Sequence, residues 1–249
     1  MKITKETKEL LIDKMQMIQT PGKADLCLVG PVRLPIQQQD LEVTFQWYTW
    51  HSLEAGVNTK EAVLDSLAIA NLAFGQQSSV LVYGDFANSD DALIRMHSIC
   101  HTGDIFGSQR CDCGYQLHQS MKMIAEHGCG AIFYLADHEG RGIGLFSKSF
   151  AYLLQQEGYD TVEANHALGF EDDTRSYEDA IRVLETLREK PVTLITNNPK
   201  KLAALQEHGL TANHHIPLWG GLTEYNRFYL DTKVQKSGHM RQKNSTLIG

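Results

Sequence analysis

Three of the five cysteines in this 249-residue chain lie within a stretch of fourteen residues, at Cys100, Cys111 and Cys113. Cys111 and Cys113 are separated by one residue, so in an extended segment both sulfur atoms would point to the same side. A disulfide between such close neighbours would be strained, and the common redox motif needs two intervening residues. Together with Cys100, they offer three thiolates that can converge on one metal ion. Zinc is the natural candidate, because thiolates bind it well and it needs no redox partner.

The spacing of these thiols leaves three interpretations open. Three protein ligands and a fourth position for water are typical of a catalytic zinc. A structural zinc would be closed by a fourth protein ligand, and the nearby histidines are candidates: His97, His101, His118 and His138. The third interpretation is that the cysteines hold no metal.

The composition is that of an ordinary globular protein, with 42% hydrophobic and 21% charged residues. The net charge of −7 gives no general affinity for nucleic acid, so a bound polyanion must be met by a local cluster of positive groups. No apolar run approaches the roughly 20 residues needed to span a bilayer, and the N-terminal sequence lacks the apolar region of a signal peptide. We therefore expect a cytoplasmic protein without membrane or nucleic-acid partners, in a reducing compartment that disfavours disulfides.

The hydrophobic periodicity predicts an α+β fold, in which a mixed sheet with interleaved helices forms one main zinc-containing domain. Residues 1–75 are expected to be an N-terminal extension of unknown role, 76–240 the main domain and 241–249 a flexible tail. The extension is predicted to contain a helix near 4–18, a strand at 41–50 and a helix at 59–74. In the main domain we predict strands at 78–85, 92–100, 131–136 and 192–196, and helices at 114–128, 146–158, 177–189 and 197–209. Ser176 and Asp179 fit a capping box, while Pro199 and Gly209 fit the start and end of the last helix.

The thiol segment, RMHSICHTGDIFGSQRCDCGYQL, closely resembles the zinc-binding segment of the GTP cyclohydrolase II family. Four further motifs follow in the order of that family: HEGRGIGL, GYDTVEANHALGF, LITNNPKK and YLDTKVQKSGH. The resemblance covers about residues 78–240 and favours the catalytic interpretation of the zinc site. It implies hydrolysis of GTP in the first step of riboflavin biosynthesis, with release of C8 of guanine as formate and of pyrophosphate. The remaining product would be a diamino-pyrimidinone ribosylamine 5′-phosphate.

The resemblance also implies the cofactors and the catalytic residues. One zinc per chain would activate a water for attack on C8, Mg²⁺ would accompany the triphosphate, and the protein would be a homodimer. Tyr152 falls on the family's proton-carrying tyrosine, Asp173 on its proposed proton acceptor and Arg175 on its proposed nucleophile at the α-phosphorus. Since a guanidinium stays protonated, we expect Arg175 rather to clamp the pyrophosphate. Without the resemblance, Tyr152 would be a core tyrosine and the Asp173–Arg175 pair a solvated salt bridge.

Seven further residues fall on substrate-binding positions of the family: Arg95, Gln116, Glu139, Arg141, Thr161, Thr196 and Lys201. A physical argument supports one part of this set. Lys200 and Lys201 lie in the first turn of a predicted helix, where cations oppose the helix dipole. An anion bound there would remove the conflict.

Two positions depart from the family pattern. Asp137 and His138 stand where the family usually has Arg-Gln, and Phe150 stands where it tends to have a basic residue. Both changes remove positive charge, which leaves two alternatives open. The chain would be a paralogue acting on GTP or another nucleotide in a different pathway, such as pyrimidine catabolism, or a non-catalytic zinc-stabilised nucleotide-binding module. The retained thiols, tyrosine and Asp/Arg pair favour hydrolytic chemistry.

Overall fold

The structure, a computed structural model, describes residues 3–38, 40–75 and 77–240. Its centre is an eight-stranded sheet with the strand order β1-β2-β3-β4-β6-β5-β7-β8. The strands are Met15–Ile18 (β1), Leu26–Gln38 (β2), Leu41–Ser52 (β3), Ser79–Tyr83 (β4), Leu93–Ser98 (β5), Gly130–Leu135 (β6), Val192–Ile195 (β7) and Thr211–Ile216 (β8). The predicted mixed sheet with interleaved helices is confirmed.

The helices cover both faces of this sheet. They are Lys5–Ile12 (α1), Lys60–Ser66 (α2), His101–Asp104 (α3), Cys113–His127 (α4), Gly144–Gln156 (α5), Thr161–Ala167 (α6), Glu178–Leu187 (α7), Pro199–Glu207 (α8) and Arg227–Gln235 (α9). Short 3-10 segments lie at Leu72–Phe74 and Ala136–Arg141. Among the described residues, no helix has the length and apolar character required to cross a membrane.

The N-terminal part of the sheet differs from the prediction. The helix expected near 4–18 ends at Ile12, and Met15–Ile18 instead pairs with β2, so the second half of that prediction is wrong. The sequence analysis did not identify β2, which spans thirteen residues and pairs with β3. Strand β3 begins at the predicted residue 41, and the helix expected at 59–74 is shortened to α2 and a separate 3-10 turn.

The strands β6, β5, β7 and β8 are parallel, and β5 is the point at which the chain changes direction across the sheet. The chain leaves β5 through α4 to β6 on one side, and returns through α5–α7 to β7 on the other. Leu93 of β5 belongs to the core cluster with Met121 and Ile124 of α4. Its neighbour Ile94 belongs to a second cluster with Ile181 of α7, so α4 and α7 cover opposite faces. At such a switch point a crevice opens beyond the carboxyl ends of the strands, where ligands bind.

The capping predictions concern the starts of α8 and α7. Helix α8 begins at Pro199, and the Asn198 side chain accepts a hydrogen bond of 2.9 Å from the Lys200 backbone N–H. The capping box predicted for α7 is wrong, because the helix begins at Glu178 without a side-chain cap. Asp179 accepts a hydrogen bond of 2.9 Å from Ser52 of β3 instead.

The proposed division of the chain near residue 75 stays a prediction. Strands β1–β3, which precede it, and β4, which follows it, are consecutive members of the same sheet. The predicted tail, 241–249, lies outside the described residues.

Candidate active site

A cavity lies at the carboxyl ends of β5, β6 and β7, at the switch point of the sheet. Loops and helix starts that follow these strands form its walls, and all thirteen residues selected from the sequence line it. These are Arg95, Cys100, Cys111, Cys113, Gln116, Glu139, Arg141, Tyr152, Thr161, Asp173, Arg175, Thr196 and Lys201. Their roles stay predictions, but their side chains border one space.

The three thiols converge at one end of this cavity. Their sulfur atoms all lie within 4.8 Å of one another, and those of Cys100 and Cys111 are 3.6 Å apart. A tetrahedral zinc with Zn–S bonds of about 2.3 Å would place its sulfur ligands about 3.8 Å apart, so the spacing fits this metal. The sequence argument assumed an extended segment at Cys111–Cys113, but the segment is not extended. Asp112 forms a turn and Cys113 begins α4, which brings the two sulfur atoms together.

The histidines considered as a fourth ligand lie elsewhere. His97 bonds a buried carboxylate at 3.0 Å, and His138 bonds a backbone carbonyl at 2.8 Å. His101 packs edge-on against a phenylalanine ring, and His118 lines a separate surface cavity. Across the described part of the chain, the three cysteines therefore form a metal-ligating group without a histidine or carboxylate member. A three-thiolate set beside a cavity has the form of a catalytic metal site rather than a closed structural one.

The thiols also interact with one another and with a lysine. Hydrogen bonds from Cys111 and Cys113 hold the pKa of Cys100 far below its ordinary value, while the pairing with Cys100 raises the pKa of Cys111 to about 11. The Lys148 ammonium lies 3.3 Å from the Cys100 sulfur. Positive charge at this position stabilises a thiolate.

Two glycines allow the chain to pack closely around the thiols. A Cβ atom on Gly103 would lie 2.9 Å from the Cys111 sulfur and 3.2 Å from the Cys100 sulfur. A Cβ atom on Gly114 would lie 2.3 Å from the carbonyl oxygen of Gly103. The thiol group therefore sits in a cradle that only glycine at these positions leaves open.

We expect Gly103→Ala to lower the affinity for zinc by about 10- to 100-fold, in the range found for residues that support metal ligands. The added methyl group would push Cys100 and Cys111 apart while leaving all three thiols in place. Competition with a chromophoric chelator measures the affinity. Gly221→Ala is the matched control, since its Cβ would meet no atom within 4 Å. Equal affinities in the two variants would contradict the cradle.

Two buried aspartates position the thiol segment, and the sequence analysis missed both. Asp104 accepts hydrogen bonds from the Cys100 backbone N–H at 2.9 Å and from the Tyr134 hydroxyl at 3.1 Å. Asp112, which lies between Cys111 and Cys113, pairs with Lys233 of α9 at 2.9 Å. Burial acts to raise the pKa of Asp112, but the charge and hydrogen bond of Lys233, the Gly220 N–H and the charge of Arg95 together keep this pKa below its ordinary value. The signal available in the sequence was only their place within the cysteine motif.

Tyr152 lines the cavity next to the thiols rather than packing in the core. Its hydroxyl lies 3.3 Å from the Thr102 hydroxyl, and the Arg110 guanidinium lies 4.3 Å from the centre of its ring. Lys148, one helical turn earlier on α5, pairs with the buried carboxylate of Glu139 at 2.6 Å. The sequence analysis missed Lys148, although its spacing of four from Tyr152 places both on one face of the helix.

Asp173 and Arg175 form a two-pronged ion pair at the other end of the cavity. The guanidinium donates to the two carboxylate oxygens at 2.7 and 2.8 Å. Burial acts to raise the pKa of Asp173, but the hydrogen bonds and charge of Arg175 hold it well below its ordinary value. The same pairing overcomes the effect of burial on Arg175 and raises its pKa. A guanidinium held so firmly in its charged form is suited to clamping an anion, not to nucleophilic attack.

The remaining predicted residues differ in how free they are to bind a ligand. Gln116 already accepts from Arg95 at 2.5 Å, and its amide donates to two other groups, so its polar atoms are occupied. Arg141 pairs with Asp172 and bonds the Ser237 hydroxyl at 3.0 Å. Thr161 opens α6, and the Thr196 hydroxyl accepts from the backbone N–H of the α8 cap at 3.0 Å.

Lys201 has a buried ammonium that donates to the Met96 carbonyl at 2.7 Å. Burial, together with the nearby charges of Arg175 and Arg95, holds its pKa well below the ordinary value. An anion at this position would relieve the repulsion among the three cations.

The cavity is strongly cationic in a chain of net negative charge. Two acidic residues line it, Glu139 and Asp173, against eight basic ones: Arg95, Arg110, Arg141, Lys148, Arg175, Lys200, Lys201 and Lys233. This is the local cluster of positive groups that the net charge requires for a bound polyanion.

Comparison with known proteins shows the family of this chain. Residues 51–217 match the family model described as GTP cyclohydrolase II. The match identifies an enzyme of the hydrolase class. The chain belongs to the GTP cyclohydrolase II family, which confirms the resemblance seen in its motifs. The matched range begins before residue 75 and ends before Trp219, Tyr229, Lys233, Ser237 and His239, which also line the cavity.

Several curated relatives carry the name riboflavin biosynthesis protein RibBA. The chain is 48% identical to the RibBA protein of Bacillus velezensis, and the matched region covers 67% of this chain and 42% of the relative. It is 47% identical to that of Bacillus subtilis, with the same coverage. It is 43% identical to that of Bacillus cereus strain AH187, over 76% of this chain and 47% of the relative. The chain thus spans about half the length of the curated relatives it matches.

Proposed function

We propose that this protein hydrolyses GTP in riboflavin biosynthesis, releasing formate and pyrophosphate and leaving the diamino-pyrimidinone ribosylamine 5′-phosphate. The carrying observation is the three-thiol group at one end of a cationic cavity, in a chain of the GTP cyclohydrolase II family. Both reacting parts of GTP, the C8 end of the base and the triphosphate, then face groups suited to them.

At the base end, Cys100, Cys111 and Cys113 would hold one zinc ion. When bound, the zinc supplies an activated water for hydrolysis at C8. Tyr152 borders the same space and would carry a proton during ring opening, with its hydroxyl oriented by Thr102. Glu139, paired with Lys148, would accept hydrogen bonds from the amino edge of guanine.

At the phosphate end, Arg175, Lys201 and Arg141 would bind the triphosphate together with Mg²⁺. Asp173 fixes the Arg175 guanidinium in one plane, and this preorganisation favours charge that develops on the leaving pyrophosphate. Asp173 would also serve as a proton acceptor once the arginine engages phosphate.

The places of Asp137 and Phe150, two residues that depart from the family pattern, support retained chemistry. The Asp137 side chain is 67% exposed, and neither Asp137 nor Phe150 is among the residues that line the cavity. The loss of positive charge at these positions therefore leaves the cationic wall intact.

The test is incubation of the protein with GTP, Mg²⁺ and Zn²⁺, with formate and pyrophosphate assayed separately. Release of both supports the proposal. Pyrophosphate alone indicates a paralogue with a changed reaction, and neither product indicates a nucleotide-binding module without turnover. Hydrolysis of a different nucleotide at a higher kcat/KM would move the protein to another pathway.

Tyr152→Phe is expected to retain zinc and GTP binding but to lower formate release by about 10²- to 10⁴-fold, the usual contribution of a proton carrier. The change removes one hydroxyl from a helix-borne ring whose cation contact with Arg110 can persist. Single-turnover formate release measures it, and Tyr159→Phe, on an exposed tyrosine, is the control. Formate release within a few-fold of wild type would make Tyr152 a packing residue.

We further propose a cytoplasmic homodimer, as the family resemblance implied. One face of α5 exposes Phe146, Phe150 and Leu153, by 79, 44 and 58%. Such an apolar helix face is suited to burial against a second copy. Light scattering after size-exclusion chromatography measures the mass, and a monomer at micromolar concentration would contradict the dimer.

A further inference from the structure

His138 is a buried histidine that has no role in the candidate metal site or in the proposed contacts with the substrate. It lies in the 3-10 segment after β6, with 2% of its surface exposed. Its Nε2 atom is 2.8 Å from the carbonyl oxygen of Ser176, and its Nδ1 atom is 3.1 Å from the Ser98 hydroxyl. Ser98 in turn accepts a hydrogen bond of 3.2 Å from the Arg175 guanidinium.

The chemistry of these groups, together with a neutral imidazole, gives the direction of each hydrogen bond. A carbonyl oxygen can only accept, so the proton of the ring must lie on Nε2. A guanidinium can only donate, so the Ser98 oxygen accepts from Arg175, and when the imidazole is neutral the Ser98 proton points to Nδ1. The chain of donors therefore runs from Arg175 through Ser98 to His138, and from His138 to the backbone of Ser176. In the neutral imidazole, Nε2 donates to Ser176 and Nδ1 accepts from Ser98, so both contacts are satisfied.

The protein keeps His138 in this neutral form. Burial lowers its pKa to about 4, although the Asp137 carboxylate, 3.8 Å away, acts in the opposite direction. The positive charge of Arg175 lowers this pKa further. Near neutral pH the imidazole thus accepts at Nδ1 and donates at Nε2.

We propose that His138 and Ser98 are positioning residues for Arg175, and that they set the orientation of its guanidinium toward the phosphate end of the substrate. This inference rests on the proposed function. His138 holds two consecutive residues of the 172–177 loop, the side chain of Arg175 through Ser98 and the backbone of Ser176 directly. Asp173 fixes the plane of the guanidinium from one side, and Ser98 holds its third nitrogen from the other.

Asparagine and glutamine separate the two ends of the imidazole. In His138→Asn the amide oxygen can take the place of Nδ1 and keep the contact with Ser98, whereas in His138→Gln the amide nitrogen can take the place of Nε2 and keep the contact with Ser176. His138→Phe fills the space without either bond, and Ser98→Ala breaks the connection at its middle. His208→Asn, at a half-exposed histidine that directly follows α8, is the matched control.

We expect pyrophosphate release to fall about tenfold in Ser98→Ala, because the hydrogen bond to the charged guanidinium is lost. A similar fall is expected in His138→Phe and His138→Gln, because the Ser98 hydroxyl that accepts this bond is no longer held by Nδ1. His138→Asn and His208→Asn should stay within about threefold of wild type, with thermal midpoints close to it. Titration of inorganic pyrophosphate by calorimetry should give the same order of affinities. The order of the variants is the readout that a structural role alone would not produce. Equal losses in all three His138 variants, or wild-type rates in Ser98→Ala, would overturn the proposal.

Nitrogen-15 spectra of the histidine rings provide a test that needs no activity. They should show His138 with a proton on Nε2 and none on Nδ1 at pH 7, and the Nδ1 signal should shift in Ser98→Ala. A proton on Nδ1 would overturn the assignment. If wild-type protein released neither formate nor pyrophosphate, the proposed function would fail, while the spectra and the binding of pyrophosphate would still decide the role of His138.

Discussion

Replacing Cys111 and Cys113 together by serine is expected to remove the zinc almost completely and formate release with it. Only one of the three thiols would remain, and hydroxyls are poor ligands for this metal. Elemental analysis of the purified protein measures the metal content. Far-ultraviolet circular dichroism would show that the fold persists, since both residues lie at the end of the sheet rather than in its core clusters.

The control for this experiment is a pair of cysteines that the metal does not need. Cys27 and Cys129 lie in core clusters away from the thiol group, so Cys27→Ala and Cys129→Ala should retain one zinc per chain. An unchanged zinc content in the Cys111/Cys113 variant would disprove the metal site. Slow pyrophosphate release can persist in that variant, because the phosphate end of the cavity keeps its cations.

The second large effect is expected at Arg175. Arg175→Ala should lower pyrophosphate release on the order of 10²- to 10³-fold, the loss found when a preorganised charge is removed from a developing anion. It also leaves the partly buried Asp173 carboxylate without its strongest partner, so negative charge replaces positive charge at the phosphate end. If phosphate attack comes first, formate release falls as well.

Arg175→Lys separates the two roles considered for this residue. A lysine keeps a point charge but loses the planar pair of hydrogen bonds to Asp173, so part of a clamp should survive. Arg33→Ala, on an exposed arginine of β2, is the control for loss of a positive charge. Full pyrophosphate release in Arg175→Ala would mean that this arginine is neither nucleophile nor clamp, and the phosphate role would pass to Lys201, Arg95 or Arg141.

The fold was predictable where one short stretch of sequence determines the structure. The strands β6 and β7 are mostly apolar runs because both of their faces are buried, and they and β5 were located to within a few residues. Strand β2 was missed because Gly30, Pro31 and Pro35 interrupt its pattern, and only pairing with β3 reveals it. The second half of the helix predicted near 4–18 failed for the same reason, since pairing with β2 determines the strand at Met15–Ile18.

The candidate site was also predictable only in part from the sequence. The cysteine spacing and the family motifs selected residues that the fold brings to one cavity. Lys148, Asp104 and Lys233 were missed because their functions depend on partners distant in the sequence. His138 was considered as a metal ligand, since a sequence shows that a histidine is near cysteines but not which way its ring points.

The close packing around the thiols has a consequence for which substitutions this chain tolerates. Gly220 and Gly221 are neighbours, yet a Cβ on Gly220 would lie 2.6 Å from the Cβ of Asp112, whereas one on Gly221 would meet nothing within 4 Å. In a saturation library sorted by zinc retention, Gly220 should therefore be nearly as intolerant as Cys111, while Gly221 accepts small side chains. Tolerance should reverse between two adjacent identical residues, because only Gly220 touches the segment that carries the candidate metal ligands.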